Sequence, residues 1–476
     1  MMTRNADRRR ILRRWVVVAA LCAVLSAVPL AVQAAVPAAV SATGTATISV
    51  NGWGRLSGAL GNHFIGLSFE SQTLNSGYRY DDVGNLPQLL QNLGPSVIRF
   101  GGNSADTTFA GVTAGEAAGL ARLAQATGWK VLYTENLANF NAARVTADAR
   151  LVAAALGRSL YAFACGNEPD EFAHDGIRAP DYTPADYITQ VNACYSAIRA
   201  GDPGAAIEGP DTAGSSVWLA KYAAAEAGTI RALGEHYYAL GCAADQNPAS
   251  AAVTLLSAAQ AARETTRLGS YLAAAQGADA PLRITETNSA CGGGIAGLSD
   301  AYATALWVID YLLIGAEQGV EGMNFHGGLD TSCAGYTVLC QAGPNMYQPQ
   351  PIYYGMLFTR LLGTGQFLPV QVSTSSAAEN IAAFALAGGG GIRAMLENLG
   401  GQTTAAVLRL RGYRGPASRL NLTGPSPLAT SGVEIQGASV AANGTFTPGQ
   451  PDTVSCTPGG CSVTLAPYSA AVVTVG

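Results

Sequence analysis

Charge is what this sequence has least of: 12% of its 476 residues are Asp, Glu, Lys or Arg, against roughly a quarter in an average soluble protein. That excludes a disordered polyelectrolyte. Lysine is nearly missing, with Lys130 and Lys221 the only two, so the basic footprint that a nucleic acid or a long polyanion needs is lacking. The histidines are limited to His63, His174, His236 and His326, and no Cys-x-x-Cys pair occurs. No zinc-ligand pattern is left. Gly-x-Ser-x-Gly and His-Glu-x-x-His are also absent, which removes the serine-hydrolase and zinc-protease readings.

Apolar residues, by contrast, make up 49% of the chain. A chain of this length buries a large core and exceeds the roughly 250–300 residues at which one core stops growing, so more than one domain is expected. Residues 1–35 read as a cleaved leader: arginines 4, 8, 9, 10, 13 and 14, an apolar run over 15–30, and small residues around Val32-Gln33-Ala34-Ala35 that suit signal peptidase. Arg8-Arg9-Arg10-Ile11-Leu12 also fits a twin-arginine signal. Without the leader, 21 basic and 31 acidic residues remain, a balance of about −10. The expected protein is secreted or periplasmic, monomeric, and not held at a membrane once cleaved. Its eight remaining cysteines, an even number, suggest disulfides. Spacing favours 333 with 340 and 456 with 461, and the preferred pairing of the others is 165 with 194 and 242 with 291.

From His63 to Gly363, short apolar runs alternate with longer alanine-rich stretches of helical period, the mark of repeated βα units. Eight strand candidates cover 64–70, 97–102, 130–136, 160–167, 206–211, 233–238, 282–287 and 322–326, with helices at 86–93, 116–127, 146–156, 185–200, 252–275, 300–318 and 352–362. The fold class is α/β, a (β/α)8 barrel over 61–365. Beyond it, 366–476 breaks into short β-rich runs between Gly, Pro, Ser and Asn, which indicates an antiparallel β-sandwich. Residues 36–60 are expected to supply a strand to that sandwich.

Catalytic groups in such a barrel come from the C-terminal ends of strands. Three carboxylates qualify: Glu70 after the first strand, Glu168 in Gly166-Asn167-Glu168-Pro169-Asp170 after the fourth, and Glu286 in Thr285-Glu286-Thr287-Asn288 closing the seventh. Strands four and seven face each other across the mouth, so Glu168 and Glu286 can flank one glycosidic bond, one as nucleophile and the other as acid and then base. Pro169 is expected to favour an extended turn at Glu168. Asn103, Asp106, Tyr237, Tyr238 and His326 fall on the same rim, and a tyrosine there would hydrogen-bond the nucleophile. Gly292-Gly293-Gly294-Ile295-Ala296-Gly297 fits Gly-x-Gly-x-x-Gly, but a dinucleotide fingerprint belongs to the first βα turn of an open sheet. After a seventh strand it reads as a nest of backbone N–H groups opening the next helix, suited to a carboxylate and hence to an acidic sugar. Tyr336, beside the 333/340 pair, is placed to reach the same carboxylate.

These stretches, with Ile98-Arg99-Phe100-Gly101-Gly102-Asn103, His236-Tyr237-Tyr238, Leu298-Ser299-Asp300 and Tyr353-Tyr354-Gly355, resemble glycoside hydrolase family 79 of clan A, the bacterial β-glucuronidases and heparanases. The resemblance implies Glu168 as acid/base, Glu286 as nucleophile, and Glu70, Asn103, Asp106, Asn167 and Tyr237 as sugar contacts, with His326 on the same rim. It further implies that Gly292, Gly293 and Tyr336 hold the uronate. No metal or cofactor is implied. One departure is Cys291, where an aromatic often precedes the glycine run; tied to Cys242, it would shape the carboxylate pocket through a disulfide. The expected activity is that of a retaining exo-β-glucuronidase acting on carbohydrate with β-linked glucuronic acid. A heparanase-like endo-enzyme would need a basic cleft, and a catalytically inactive carbohydrate-binding protein would not need both glutamates. A hydrolase of neutral sugars, such as a xylanase, stays open if the glycine run is only a loop.

Overall fold

The computed structural model describes residues 44–476 apart from 53, 55–56, 76–82, 243–245, 330–331, 377 and 411–415; the leader expected over 1–35 lies outside the described residues. Eight strands, Ile65–Glu70, Val97–Gly101, Lys130–Glu135, Leu160–Cys165, Glu208–Thr212, Ala232–Tyr238, Leu282–Asn288 and Gly322–His326, run parallel. Their hydrogen-bonded order is four, three, two, one, eight, seven, six, five. A bridge from Phe163 to Ile207 joins the fourth strand to the fifth and closes the barrel. The strands are buried along almost their whole length, as expected of a parallel sheet covered by helices.

The helices between them start and stop where local chemistry dictates. Thr113 and Glu116 form a reciprocal capping box at the head of Ala114–Thr127, and Gly128 ends that helix in the left-handed conformation. Thr183 and Asp186 do the same for Pro184–Gly201. The single helix expected over 252–275 is two, Pro248–Leu255 and Ala258–Gly277. Ser257 breaks it, its side chain capping the second helix through the Gln260 N–H at 3.1 Å. The last long helix before the eighth strand, Tyr302–Gln318, is buried over most of its length because it is covered on both sides. The barrel lies beneath it, and above it the Tyr302 and Ala303 N–H groups donate to the Ala429 and Pro427 carbonyls at 2.9 and 2.7 Å.

Those last contacts belong to the sandwich. One sheet orders Val370–Thr374, Gly44–Val50, Thr404–Leu410, Gly460–Leu465 and Cys456–Thr457; the other runs from Ala59–Leu60 through Gly365–Leu368, Ile381–Gly388, Gly391–Asn398, Ser469–Val475 and Ala417–Thr423 to Glu434–Ile435. Ile48, Leu396, Leu408, Val463 and Val473 fill the space between. The pairing is not wholly antiparallel: Gly44–Val50 lies parallel to Thr404–Leu410 and antiparallel to Val370–Thr374. Disulfides join Cys165 to Cys194, Cys242 to Cys291, Cys333 to Cys340 and Cys456 to Cys461, which suits an oxidising, extracellular setting. No helix among the described residues is long and apolar enough to cross a membrane.

Candidate active site

Along a strand alternate side chains face opposite sides. Ser68 and Glu70 of the first barrel strand, Arg99 of the second, Asp211 of the fifth, His236 and Tyr238 of the sixth, Glu286 of the seventh and His326 of the eighth converge inside the mouth. Arg99 is fully buried and central to the group. Its Nη1 donates to Oε2 of Glu286 at 2.8 Å and to Oγ of Ser68 at 3.1 Å. Its Nη2 donates to Oδ1 of Asn167 at 2.8 Å and to Oδ2 of Asp211 at 3.2 Å. Glu286 receives a second bond from the Tyr238 hydroxyl, 2.7 Å from Oε1, and has Nδ1 of His326 3.4 Å from Oε2. Burial alone would raise the pKa of Glu286, but His326, His236, Arg99 and the Tyr238 bond outweigh it and hold the carboxyl well below the usual range. It is an ionised, fixed oxyanion.

Glu168 is held differently. The loop after the fourth strand is tied down by the Gly166 N–H on the Glu135 carbonyl at 2.9 Å and by the Glu168 N–H on the Asp211 carbonyl at 2.8 Å. The Asn167 N–H donates to Oδ2 of Asp106 at 2.7 Å. Glu168 itself takes a φ of +51°, so the extended residue expected before Pro169 is not found. A non-glycine residue in that region is uncommon and strained. Its side chain, 22% exposed, meets Nδ1 of His236 at 2.9 Å through Oε1. One oxygen each of Glu168 and Glu286 and a ring nitrogen of His236 lie within 4.8 Å of one another. A cation among these three would face the Arg99 guanidinium already bonded to Glu286, which opposes metal binding there.

Around this pair, His326 links two acids. Nε2 lies 3.6 Å from Oε1 of Glu70, while Nδ1 is 3.1 Å from Oγ of Ser68. Burial works against the charged ring, yet Glu286 and Glu70 raise its pKa. Glu70 also accepts from the Ser104 N–H at 2.8 Å. Despite the cost of burial, the His326 and Ser104 bonds lower its pKa. Tyr336 stacks on Tyr238, centroids 6.0 Å apart, and meets His326 edge-on. Its N–H donates to the Gly293 carbonyl at 3.1 Å, joining the loop after the eighth strand to the glycine run. Glu70, Gln72, Thr108, Gly293, His326 and Tyr336 line a cleft of about 630 Å³. Gly292 and Gly293 have φ of +66° and +93°, and open space stands where their side chains would be.

Several expectations need amendment. Tyr237 does not enter the mouth: it points outward, 5.7 Å from the ring of Tyr311 and within 3.4 Å of Gln260 on the surrounding helices. Period two makes Tyr238 the inward tyrosine. Asp106 is buried, with both oxygens taken by backbone N–H groups of Leu137, Ala138 and Asn167, so it fixes Asn167 from behind. Asn167 in turn bonds Asn103, which is exposed, at 3.1 Å. The glycine run does not open the helix directly, since turns fill the stretch up to Tyr302. Tyr238 is the rim tyrosine that bonds Glu286, but Arg99, Asp211 and His236 are not among the expected site residues. The signal that would have found them is a charged or polar residue in phase with the site glutamates inside an otherwise apolar strand.

No protein-family model matches the chain, and no curated protein sequence matches it. Solved structures do. The 4-O-α-L-rhamnosyl-β-D-glucuronidase of Fusarium oxysporum 12S superimposes with a TM-score of 0.73 at 22% identity, over 90% of this chain and 100% of that one. The family 51 arabinofuranosidase of Xanthomonas axonopodis pv. citri gives 0.67 at 12% identity, over 91% and 100%. CelM2, a bifunctional glucanase-xylanase from a metagenome library, gives 0.59 at 15%, over 90% and 99%. At such identities what this chain shares with these glycoside hydrolases is the fold, a (β/α)8 barrel carrying a β-sandwich.

Proposed function

We propose that the protein is a retaining exo-β-glucuronidase that releases terminal glucuronic acid from glycans or glycosides, with Glu286 as nucleophile and Glu168 as acid/base. The observation that carries this reading is the pair itself: carboxylate oxygens of Glu168 and Glu286 within 4.8 Å at the ends of opposed strands. Retaining enzymes hold their two carboxyls about 5–5.5 Å apart and inverting ones about 6.5–9.5 Å. The environments of the two also differ. Glu286 is kept ionised by Arg99 and His326, as a nucleophile requires, while Glu168 faces the opening, where a leaving group departs. Asn167 and Glu70 would bind ring hydroxyls, with Asn103 beside them.

Uronate selectivity is supported by the cleft beside Gly293 and Tyr336 and by the glucuronidase named among the structures of like fold. The family 79 resemblance supports it as well. Among the described residues that line the cleft there is no arginine or lysine, which favours exo-action on a short substrate over endo-action on a sulfated chain. Hydrolysis of an aryl β-D-glucuronide is expected, with the matched β-D-glucoside left intact, and both Glu168→Gln and Glu286→Gln should abolish it. Turnover of the glucoside instead would move the reading to a neutral-sugar hydrolase, and turnover of neither would move it to a carbohydrate-binding protein.

A further inference from the structure

His236 stands between the two proposed catalytic acids, and its far side is occupied. Nδ1 is 2.9 Å from Oε1 of Glu168. Nε2 is buried without a hydrogen-bond partner, and the group nearest it in charge is Asp211, whose Oδ1 lies 3.8 Å away. Glu286 is the third acid facing the ring, from the seventh strand. Asp211 is itself well supplied, since Oδ2 accepts from Arg99 at 3.2 Å and Oδ1 accepts from the Thr285 hydroxyl. Beneath it lies Glu208, fully buried, with neither carboxylate oxygen bonded. A Cβ on Gly234 would collide with Oε1 of Glu208 and lie 2.6 Å from Oδ1 of Asp211, so the missing side chain is what lets the two acids share this space. Two acids so close do not both ionise. Desolvation and Asp211 push Glu208 well up, while Asp211, the acid that faces the imidazole, is paired with the Arg99 guanidinium at 3.2 Å.

Asp211, 3.8 Å from Nε2, and Glu286, facing the ring from the seventh strand, are two carboxylates around one imidazole, and together they favour a proton on each ring nitrogen over a bare lone pair. With Nε2–H directed at Asp211 and Nδ1–H at Glu168, Oε1 of Glu168 can only accept. The carboxylic proton of Glu168 then resides on Oε2, the oxygen free to meet a leaving group. We infer that His236, held by Asp211, is the positioning residue that keeps the acid proton of Glu168 on the oxygen facing the scissile bond. This rests on the roles proposed above for Glu168 and Glu286, and it adds a function for three residues that those roles leave unused.

Two measurements test it. In the first, ring nitrogens are observed by NMR in protein labelled at its four histidines, with signals assigned through single replacements, at the pH of highest activity. The inference requires protons on both nitrogens of His236 in the unaltered protein, and loss of the Nε2 proton in Asp211→Asn. A bare Nδ1 in the unaltered protein would overturn it, because Glu168 would then be donating to the ring. In the second, Asp211→Asn is compared on methyl β-D-glucuronide, whose leaving group needs a proton, and on β-glucuronyl fluoride, whose leaving group does not. The loss of kcat on the methyl glycoside should exceed that on the fluoride by about tenfold or more, a part of the 10²–10⁴-fold that general acid catalysis typically contributes. Equal losses on both would overturn it. Glu208→Gln, which keeps that site uncharged, should leave the ratio of the two rates unaltered. If the unaltered protein hydrolyses neither compound, the glucuronidase reading falls, and the ring-proton measurement still decides the positioning of Glu168.

Discussion

Two buried acidic regions of this molecule are built on opposite terms. At the mouth, Glu286, Asp211 and Glu70 stand beside Arg99 or His326, and the pKa values of Glu286 and Glu70 are lowered. At the seam between barrel and sandwich, Asp310 of helix Tyr302–Gln318 and Glu397 of strand Gly391–Asn398 have no such cation among the described residues. Both oxygens of Glu397 lack a partner. Burial pushes Asp310 up to about 7, and burial together with Asp310 raises Glu397 well above the usual carboxylate range. Where the proposed chemistry needs a permanent anion, the chain installs an arginine in the apolar interior. Where only packing is needed, it lets the acids stay neutral.

Removing the mouth's cation should break this contrast most strongly. Arg99→Met leaves Glu286 and Asp211 buried without their shared partner, which should cost about 3–5 kcal/mol of stability and reduce hydrolysis by at least about 10²-fold. Denaturant unfolding and kcat on an aryl glucuronide read the two effects. A variant that unfolds at the same midpoint with full activity would show that the guanidinium is dispensable.

The pH dependence of stability sharpens the contrast, because the two regions carry opposite signs. For the mouth acids with lowered pKa, stabilisation is present above 4.5 and is lost as pH falls through their folded values. For the seam, a raised acid stays protonated in the native state while its unfolded counterpart has ionised. Stability is then full below 3.8 and drains as pH rises to about 7 at Asp310; Glu264 of helix Ala258–Gly277, buried beside Trp307 and pushed up to about 8, adds a second window of the same sign above 4.5. Each such group contributes about 1.4 kcal/mol per pH unit across its window. Thermal unfolding followed from pH 4 to pH 8 should show a falling midpoint, and Asp310→Asn should flatten it up to pH 7. A midpoint that climbs over that range would contradict the neutral seam.

Smaller effects should come from the periphery. His326→Gln removes the cation between Glu286 and Glu70. The ring's raised pKa means its charge is complete below 6.5 and is lost as pH rises through the folded value, so the alkaline limb of the pH–rate profile should change shape, with kcat down about tenfold. An unaltered limb would mean that the ring's charge does not matter. Replacing Cys242 and Cys291 together by serine frees the loop carrying the glycine run; KM for the glucuronide should rise a few-fold with kcat nearly constant.

Much of this was legible before any coordinates. Alternating apolar runs and helical stretches gave the eight strands nearly in place, because a parallel barrel buries each strand and leaves a continuous apolar signature. Glu168 and Glu286 stood out because they close such runs. Both Tyr237 and Tyr238 fall on the rim in the sequence, and the resemblance assigns the sugar contact to Tyr237, because two adjacent tyrosines at a strand end give no phase by themselves; the inward His236 two residues before Tyr238 supplies it. Arg99 does not stand out because an arginine inside Val97-Ile98-Arg99-Phe100 reads as an interruption of a core strand, and its partners lie 31 to 187 residues away. The split at Ser257 was hidden by alanine on both sides, which supports a helix whether or not a cap interrupts it.

The strand Gly44–Val50 has a consequence for how the chain must be made. It is synthesised before any of the barrel, yet its neighbours, Val370–Thr374 and Thr404–Leu410, emerge only after all eight barrel strands. For most of its synthesis the chain therefore carries a β-strand with both edges bare, the kind of surface that recruits other strands. The pairing that finally covers it spans more than three hundred residues and is slow on topological grounds. Ending the chain after Leu362 would not yield a free-standing barrel but one trailing a permanently unpaired strand, so folding of this protein is a single commitment made at the C-terminus.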